Sequence, residues 1–190
     1  MRKIKNFRIN LRQREILRLL KATGAVSEIT PQLEQAVSQE VQRLSKTLAP
    51  AALYDSLPKD KLPPEIASVL PLASIASTIF LTTVNETLDT EVKEAQRRQE
   101  AILSQILHCL ALEALEQTAN FIGRLLAEEA RQESCELLER MPLPQQTHQS
   151  VFTLLPGDKI GVHLTGTSSM QPLYSSCGII PWSPVKKKTK

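Results

Sequence analysis

Residues 160–180 read I-G-V-H-L-T-G-T-S-S-M-Q-P-L-Y-S-S-C-G-I-I. Two apolar β-type runs flank a segment rich in Ser, Thr, Gly and Pro, so the stretch predicts strand, loop, strand. Its core spacing is Met170-x-Pro172-x-x-Ser175-x-x-Gly178-Ile179, preceded by Gly161-Val162 and Leu164-Thr165. Pro172 fixes its own φ, and Gly178 allows either a positive φ or the close approach of another group to the backbone. Ser175 offers a small donor and acceptor, and Met170 an adaptable apolar surface. From spacing alone, a hairpin whose Pro and Gly only make the turn is the favoured reading, because Gly and Pro punctuate most loops.

Working outward, Asn10 to Thr23 sets Leu11, Ile16, Leu17, Leu19 and Leu20 among basic and polar residues and stops at Gly24, which predicts a short amphipathic helix. Thr30-Pro31 opens a second helix, with Thr30 as N-cap, Pro31 at its first position and Glu34 near the place of a capping-box acid. Leu33, Val37, Val41, Leu44 and Leu48 form its apolar face. Residues 51–64 carry Pro58, Pro63 and Pro64 and read as a connector. This places a helical lead at 1–60 and a second unit at 65–190. Ala73 to Val84 is β-branched and apolar, as a buried strand requires. Asn85 or Thr87 caps a following helix, and a longer one is expected from about Gln99 to Glu133. On it Leu103, Ile106, Leu107, Leu110, Ala114, Leu115, Ile122, Leu125 and Leu126 face the core, while Glu113, Glu116, Glu128 and Glu129 face mainly solvent. Residues 141–149 read as a Pro- and Gln-rich connector. Helices, then a strand, helices and a hairpin-like pair give an α+β fold, with a helical lead followed by helices packed on a small, mostly antiparallel sheet.

The spacing in residues 160–180 resembles the activation (reactivation) domain of cobalamin-dependent methionine synthase, in which an L-T-E segment leads into an M-x-P-x-x-S-x-x-G turn. The order of elements is similar too, and the resemblance extends over most of the chain with its specificity concentrated after Pro142. It implies a cytoplasmic protein that docks on a corrinoid-binding protein or cobalamin-dependent methyltransferase and supports its reductive reactivation or methyl transfer. Cobalamin would be contacted on that partner. Met170, Pro172, Ser175 and Gly178 would face the corrinoid, with Thr165 in support; a mildly apolar, backbone-lined edge suits a planar macrocycle fringed with amides.

Two departures bear on S-adenosylmethionine, the family's methyl donor. The family carries a P-G-Y segment, led by an Arg, before a P-L-x-x-Q stretch. Here Pro142-Leu143-Pro144-Gln145-Gln146 matches the latter, but Cys135 to Met141 contains no P-G-Y and Glu133 stands about where the Arg belongs. Gly166 replaces the Glu after L-T. These changes leave S-adenosylmethionine binding doubtful and imply a member degenerate in that function.

Net charge is +3 over 190 residues, and aromatics make up 4%. Much of the charge lies in residues 1–18 and in Lys186, Lys187, Lys188 and Lys190. The few aromatics and small charge argue against nucleic acid as a partner. The longest apolar stretch, residues 66–84, is broken by Pro71 and studded with Ser and Thr, too polar for a membrane span. Cys109, Cys135 and Cys177 are widely spaced with no C-x-x-C, consistent with reduced thiols. Cys177 would be reactive only beside a cation or helix N-terminus, and reads as an apolar filler. His108 suits a polar face, while His163 faces opposite to Val162 and Leu164, toward solvent or a site. A cofactor-free helical interaction protein, tethered to an acidic partner by its basic ends, is the competing reading.

Overall fold

The computed structural model describes residues 1–185; the lysines at 186–190 lie outside that range. A six-stranded sheet organises the chain. Its strands are β1 (Arg2–Lys5), β2 (Ala51–Pro58), β3 (Ala76–Thr83), β4 (Cys135–Leu137), β5 (Met141–Pro142) and β8 (Ser175–Pro184). The order is β1-β2-β3-β8-β4, with β5 also on β8, and every pair is antiparallel. A separate two-stranded ribbon pairs β6 (His163–Leu164) with β7 (Met170–Gln171). The fold is α+β, as expected.

Alternation along the strands divides the core between the two faces of the sheet. Ala52, Tyr54, Phe80, Ile180 and Trp182 point to one face, where Ala119, Ile122 and Leu126 of the long helix α5 (Ala101–Gln132) cover them. Leu53, Ile79, Leu81, Cys177 and Ile179 point to the other. There they meet Ile66 of α3 (Pro64–Ala67), Val151 of α6 (His148–Leu154), and Ile160 and Val162. A third cluster joins α1 (Gln13–Ala22), α2 (Pro31–Leu44) and α4 (Thr87–Arg97) to the N-terminal half of α5. At 32 residues α5 runs about 48 Å, which is how one helix serves both the sheet and the helical cluster.

Local signals account for several boundaries. Thr30 Oγ1 accepts the Leu33 N–H at 3.2 Å with Pro31 at the first helical position. Gly24 takes a φ of +73° after α1, a conformation that costs a glycine little. Asn85 Oδ1 accepts the Thr87 N–H at 2.8 Å at the start of α4.

Three expectations are corrected. The connector at 51–64 is instead β2 up to Pro58, paired along its whole length with β3; its prolines fall only at the strand's last residue and beyond, where no ladder N–H is needed. Residues 1–60 therefore supply two strands of the sheet as well as α1 and α2. The connector at 141–149 contains β5 and the start of α6. On α5, Glu113, placed toward solvent by helical periodicity, is 1% exposed, and Leu125, placed on the core face, is 37% exposed. Among the described residues no helix is long and apolar enough to cross a membrane.

Candidate functional site

The strand before the M-x-P motif is only β6, and it pairs with β7 rather than with β8. The loop between them, 165–169, is a tight turn: Ser168 N–H donates to Thr165 O at 2.9 Å, and Thr165 N–H to Ser169 O at 2.8 Å. Ser168 sits at φ +58°, tolerable at a single turn residue. Two side chains from the supposed connector hold the turn from outside. Gln145 Nε2 donates to Thr167 O at 2.6 Å, and buried His148 donates from Nδ1 to Ser168 O at 2.9 Å. The Thr165, Thr167 and Ser169 hydroxyls form a chain along the turn, at 3.1 and 3.3 Å.

This ribbon faces the start of α4 across a cleft of about 670 Å³. Thr165, Thr167, Ser169, Met170, Gln171 and Pro172 line one side, and Glu86, Asp89, Thr90 and Lys93 the other. Asp89, 7% exposed, closes one end: its Oδ2 accepts the Leu173 N–H at 2.5 Å and its Oδ1 the Tyr174 N–H at 3.3 Å. Behind it, the Tyr174 hydroxyl lies 2.9 Å from His108 Nδ1, and burial pushes the phenol up to about 12. Asp89 thus fixes where the loop leaves for β8. Replacing Asp89 by Ala leaves two backbone donors unmet and is expected to lower stability by about 2 kcal/mol. Amide exchange at Leu173 and Tyr174 should quicken more than at Ile179; uniform quickening would mean a global loss instead.

Of the five residues singled out from sequence, Thr165, Met170 and Pro172 come together in this cleft. Ser175 and Gly178 do not line it. Ser175 opens β8, its Oγ donating to Thr83 Oγ1 at 3.0 Å in the interior. Gly178 lies mid-strand, and the group that approaches its backbone is the protein itself: a Cβ there would stand 2.5 Å from Phe80 Cζ and 2.6 Å from Met141 O. His163 is exposed and pairs with Asp158 through Nδ1 at 2.7 Å. Among the described residues no group of three or more His, Cys, Asp or Glu side chains converges as a metal site.

A second cleft, of about 520 Å³, opens between α1 and α5 and is lined by Arg12, Glu15, Glu113, Glu116, Arg140 and Ser176 among others. Its charges are matched internally. Arg12 donates through Nε and Nη2 to the two Glu113 oxygens at 2.8 and 3.0 Å, and Gln117 Nε2 adds a donor at 3.0 Å. Glu113, through its hydrogen bond and then its charge, raises the Arg12 guanidinium above its ordinary value. Arg140 Nη2 reaches both Glu116 oxygens at 2.6 Å while its guanidinium rests over the Phe80 ring.

These pairs decide how well S-adenosylmethionine fits. The residues in register with P-G-Y lie in and just after β4, an edge strand that pairs with β8 on one side only, and Leu138 N–H donates to Pro181 O at 2.8 Å. Glu133 ends α5, and Arg140 is held by Glu116. No free guanidinium therefore stands in register with the family's Arg, and a methyl donor placed there would lack that anchor for its carboxylate.

All three thiols are buried, and burial pushes Cys177 from an ordinary 9.0 up to about 12. A thiol reagent should therefore modify the chain only after unfolding; rapid labelling of the native protein would contradict the packing. The unfolded thiol and phenol ionise first. The stability contributed by the folded, neutral Cys177 and Tyr174 is thus whole below about pH 9 and declines as pH rises toward 12. Urea melts across that range would register the decline.

No protein-family model matches the sequence. No curated protein matches it either. Among solved structures, the chain is similar to a crystal structure of the MetH reactivation domain bound to AdoHcy, at 15% identity and a TM-score of 0.70. That similarity covers 99% of this chain and 80% of the other. The protein has the fold of that reactivation domain.

Proposed function

We propose that this protein docks on a corrinoid-binding protein or cobalamin-dependent methyltransferase and supports the reductive reactivation or methyl transfer of its cobalamin. The supporting observation is a coincidence of fold and motif. Along a chain that shares its fold with the MetH reactivation domain over 99% of its length, the M-x-P ribbon lines a hydroxyl-rich cleft. Thr165, Thr167, Ser169 and Gln171 offer donors and acceptors to a fringe of amides, while Met170 and Pro172 offer an apolar edge to a macrocycle. Cobalamin, held by the partner, supplies the redox and methyl chemistry; the residues of this chain position and shield it.

S-adenosylmethionine is not part of the proposal, because Glu133 stands in register with the family's Arg and Arg140 is engaged by Glu116. Calorimetric titrations of the purified protein with S-adenosylmethionine and with cob(II)alamin test this division. No heat with the methyl donor, and weak or no heat with free cob(II)alamin, fit a protein that reads its corrinoid on a partner. Saturable binding of S-adenosylmethionine would overturn the degenerate-site reading and make the chain a complete reactivase.

A further inference from the structure

Leu173 stands where the two sides of the ribbon cleft meet. Its side chain is 63% exposed, although Met170 and Pro172 just before it are half-buried and Tyr174 just after it is 3% exposed. Among the described residues it is the one large, exposed apolar side chain that lines this cleft. The main chain leaves it no freedom to turn inward. Pro172 has a fixed φ, Asp89 Oδ2 accepts the Leu173 N–H at 2.5 Å, and Asp89 Oδ1 accepts that of Tyr174 at 3.3 Å. Tyr174 is anchored further by Val84, whose N–H donates to its carbonyl at 3.3 Å, and by its hydroxyl against His108. A nearly buried carboxylate thus fixes the backbone of a residue whose own side chain stands in solvent.

Scattered exposed leucines are ordinary on protein surfaces. A leucine held rigid at the mouth of a cleft is a better anchor, because the fold has already ordered it for burial against a second molecule. Its surroundings have the anatomy of a protein contact, an apolar centre within a polar rim. On one side are the Thr165, Thr167 and Ser169 hydroxyls. On the other are Glu86, Thr90 and Lys93, which follow one another at i, i+4 and i+7 on the exposed face at the start of α4. We infer that Leu173 is the residue by which the mouth of the cleft grips the polypeptide of the corrinoid-binding partner, entering an apolar pocket beside the corrinoid, with Asp89 as its positioning residue. The inference rests on the docking proposed above and names the contact that serves it. Polypeptide suits this point better than the macrocycle does. A corrinoid presents amides at its rim, and a leucine packed over them would leave them without hydrogen-bond partners.

Binding of the full chain to a cobalamin-dependent methyltransferase, with its corrinoid and stripped of it, tests the contact. Leu173→Ala should weaken binding to both forms by about tenfold while melting with the wild type, because the side chain it shortens is mostly in solvent. Leu173→Met, which keeps the apolar volume, should bind within about threefold of the wild type. Asp89→Asn, measured where it is fully folded, should weaken binding on its own but add nothing in the Leu173→Ala background, as a residue acting only through Leu173 must. Full affinity in Leu173→Ala would overturn the inference, and additive losses in the double variant would overturn the role of Asp89. A loss confined to the corrinoid-loaded form would also overturn it and assign Leu173 to the macrocycle. A wild-type chain that binds neither form would overturn this contact together with the docking it rests on. Equal wild-type binding of the two forms, with both weakened in Leu173→Ala, would support the contact and count only against the ribbon's role at the corrinoid.

Discussion

Gly178→Ala is expected to destabilise the protein by about 3 kcal/mol, and Gly178→Val to abolish soluble expression. An added Cβ would meet the Phe80 ring at 2.5 and 2.9 Å and the Met141 carbonyl oxygen at 2.6 Å, where contacts under 3.0 Å force movement. Neither neighbour has room. Met141 belongs to β5, whose backbone is paired with β8 at Ile179. Phe80 is 1% exposed, packed with Ile122 and Ile180, and its far side carries the Arg140 guanidinium. Displacing the ring would disturb the Arg140–Glu116 pair as well. Usual gains on replacing a strand glycine, about 0.5–1 kcal/mol, are too small to offset this. Urea denaturation decides the point: an unchanged midpoint for Gly178→Ala would mean that the ring moves aside, and would return this glycine to consideration as a site of ligand approach.

The second large effect concerns the buried carboxylate. Arg12→Met leaves Glu113, 1% exposed, with Gln117 as its remaining side-chain donor and no cation. A buried charge stripped of its partner is among the costliest defects a fold can carry, so the melting temperature should drop by several degrees. Removing the charge should undo much of the loss. The double variant R12M/E113Q keeps an acceptor for Gln117 and buries no ion, and is expected to melt above Arg12→Met. A double variant that melts lower than the single would contradict the asymmetry and assign Glu113 a stabilising role independent of Arg12.

Local chemistry made much of the architecture legible in advance. Thr30-Pro31, Gly24 and Asn85 each mark a helix end through bonds or conformations spanning at most three residues. The apolar periodicity of α5 and the β-branched run of β3 carry their own signals. The misses share a cause: the partner lies far along the chain. Glu113 looks like any helix-surface acid until Arg12, 101 residues away, is brought against it. Asp89 gives no local sign that it receives the N–H groups of Leu173 and Tyr174, 84 and 85 residues on. β2 was hidden because prolines at its end and beyond read as a linker. Gln145 and His148 were passed over in a Pro- and Gln-rich segment, although they brace the turn that the motif singled out. Within the motif, the family resemblance singled out five residues, of which Thr165, Met170 and Pro172 line one cleft. It had no means of separating them from Ser175 and Gly178, because a loop that runs straight into a core strand carries one continuous pattern.

The most direct test is a binding titration against a cobalamin-dependent methyltransferase in its corrinoid-loaded and corrinoid-free forms. The wild-type chain should bind the loaded form with a shift in the visible spectrum of its cob(II)alamin, and should bind the corrinoid-free form more weakly. Met170 is partly exposed at the cleft while packing against the core cluster of Ile66, Val151 and Val162. Met170→Asp should therefore lose at least about tenfold in affinity under conditions where it is fully folded, whereas Met170→Leu should bind as the wild type does. Equal binding of the two forms, or full affinity in Met170→Asp, would contradict the proposed role of the ribbon.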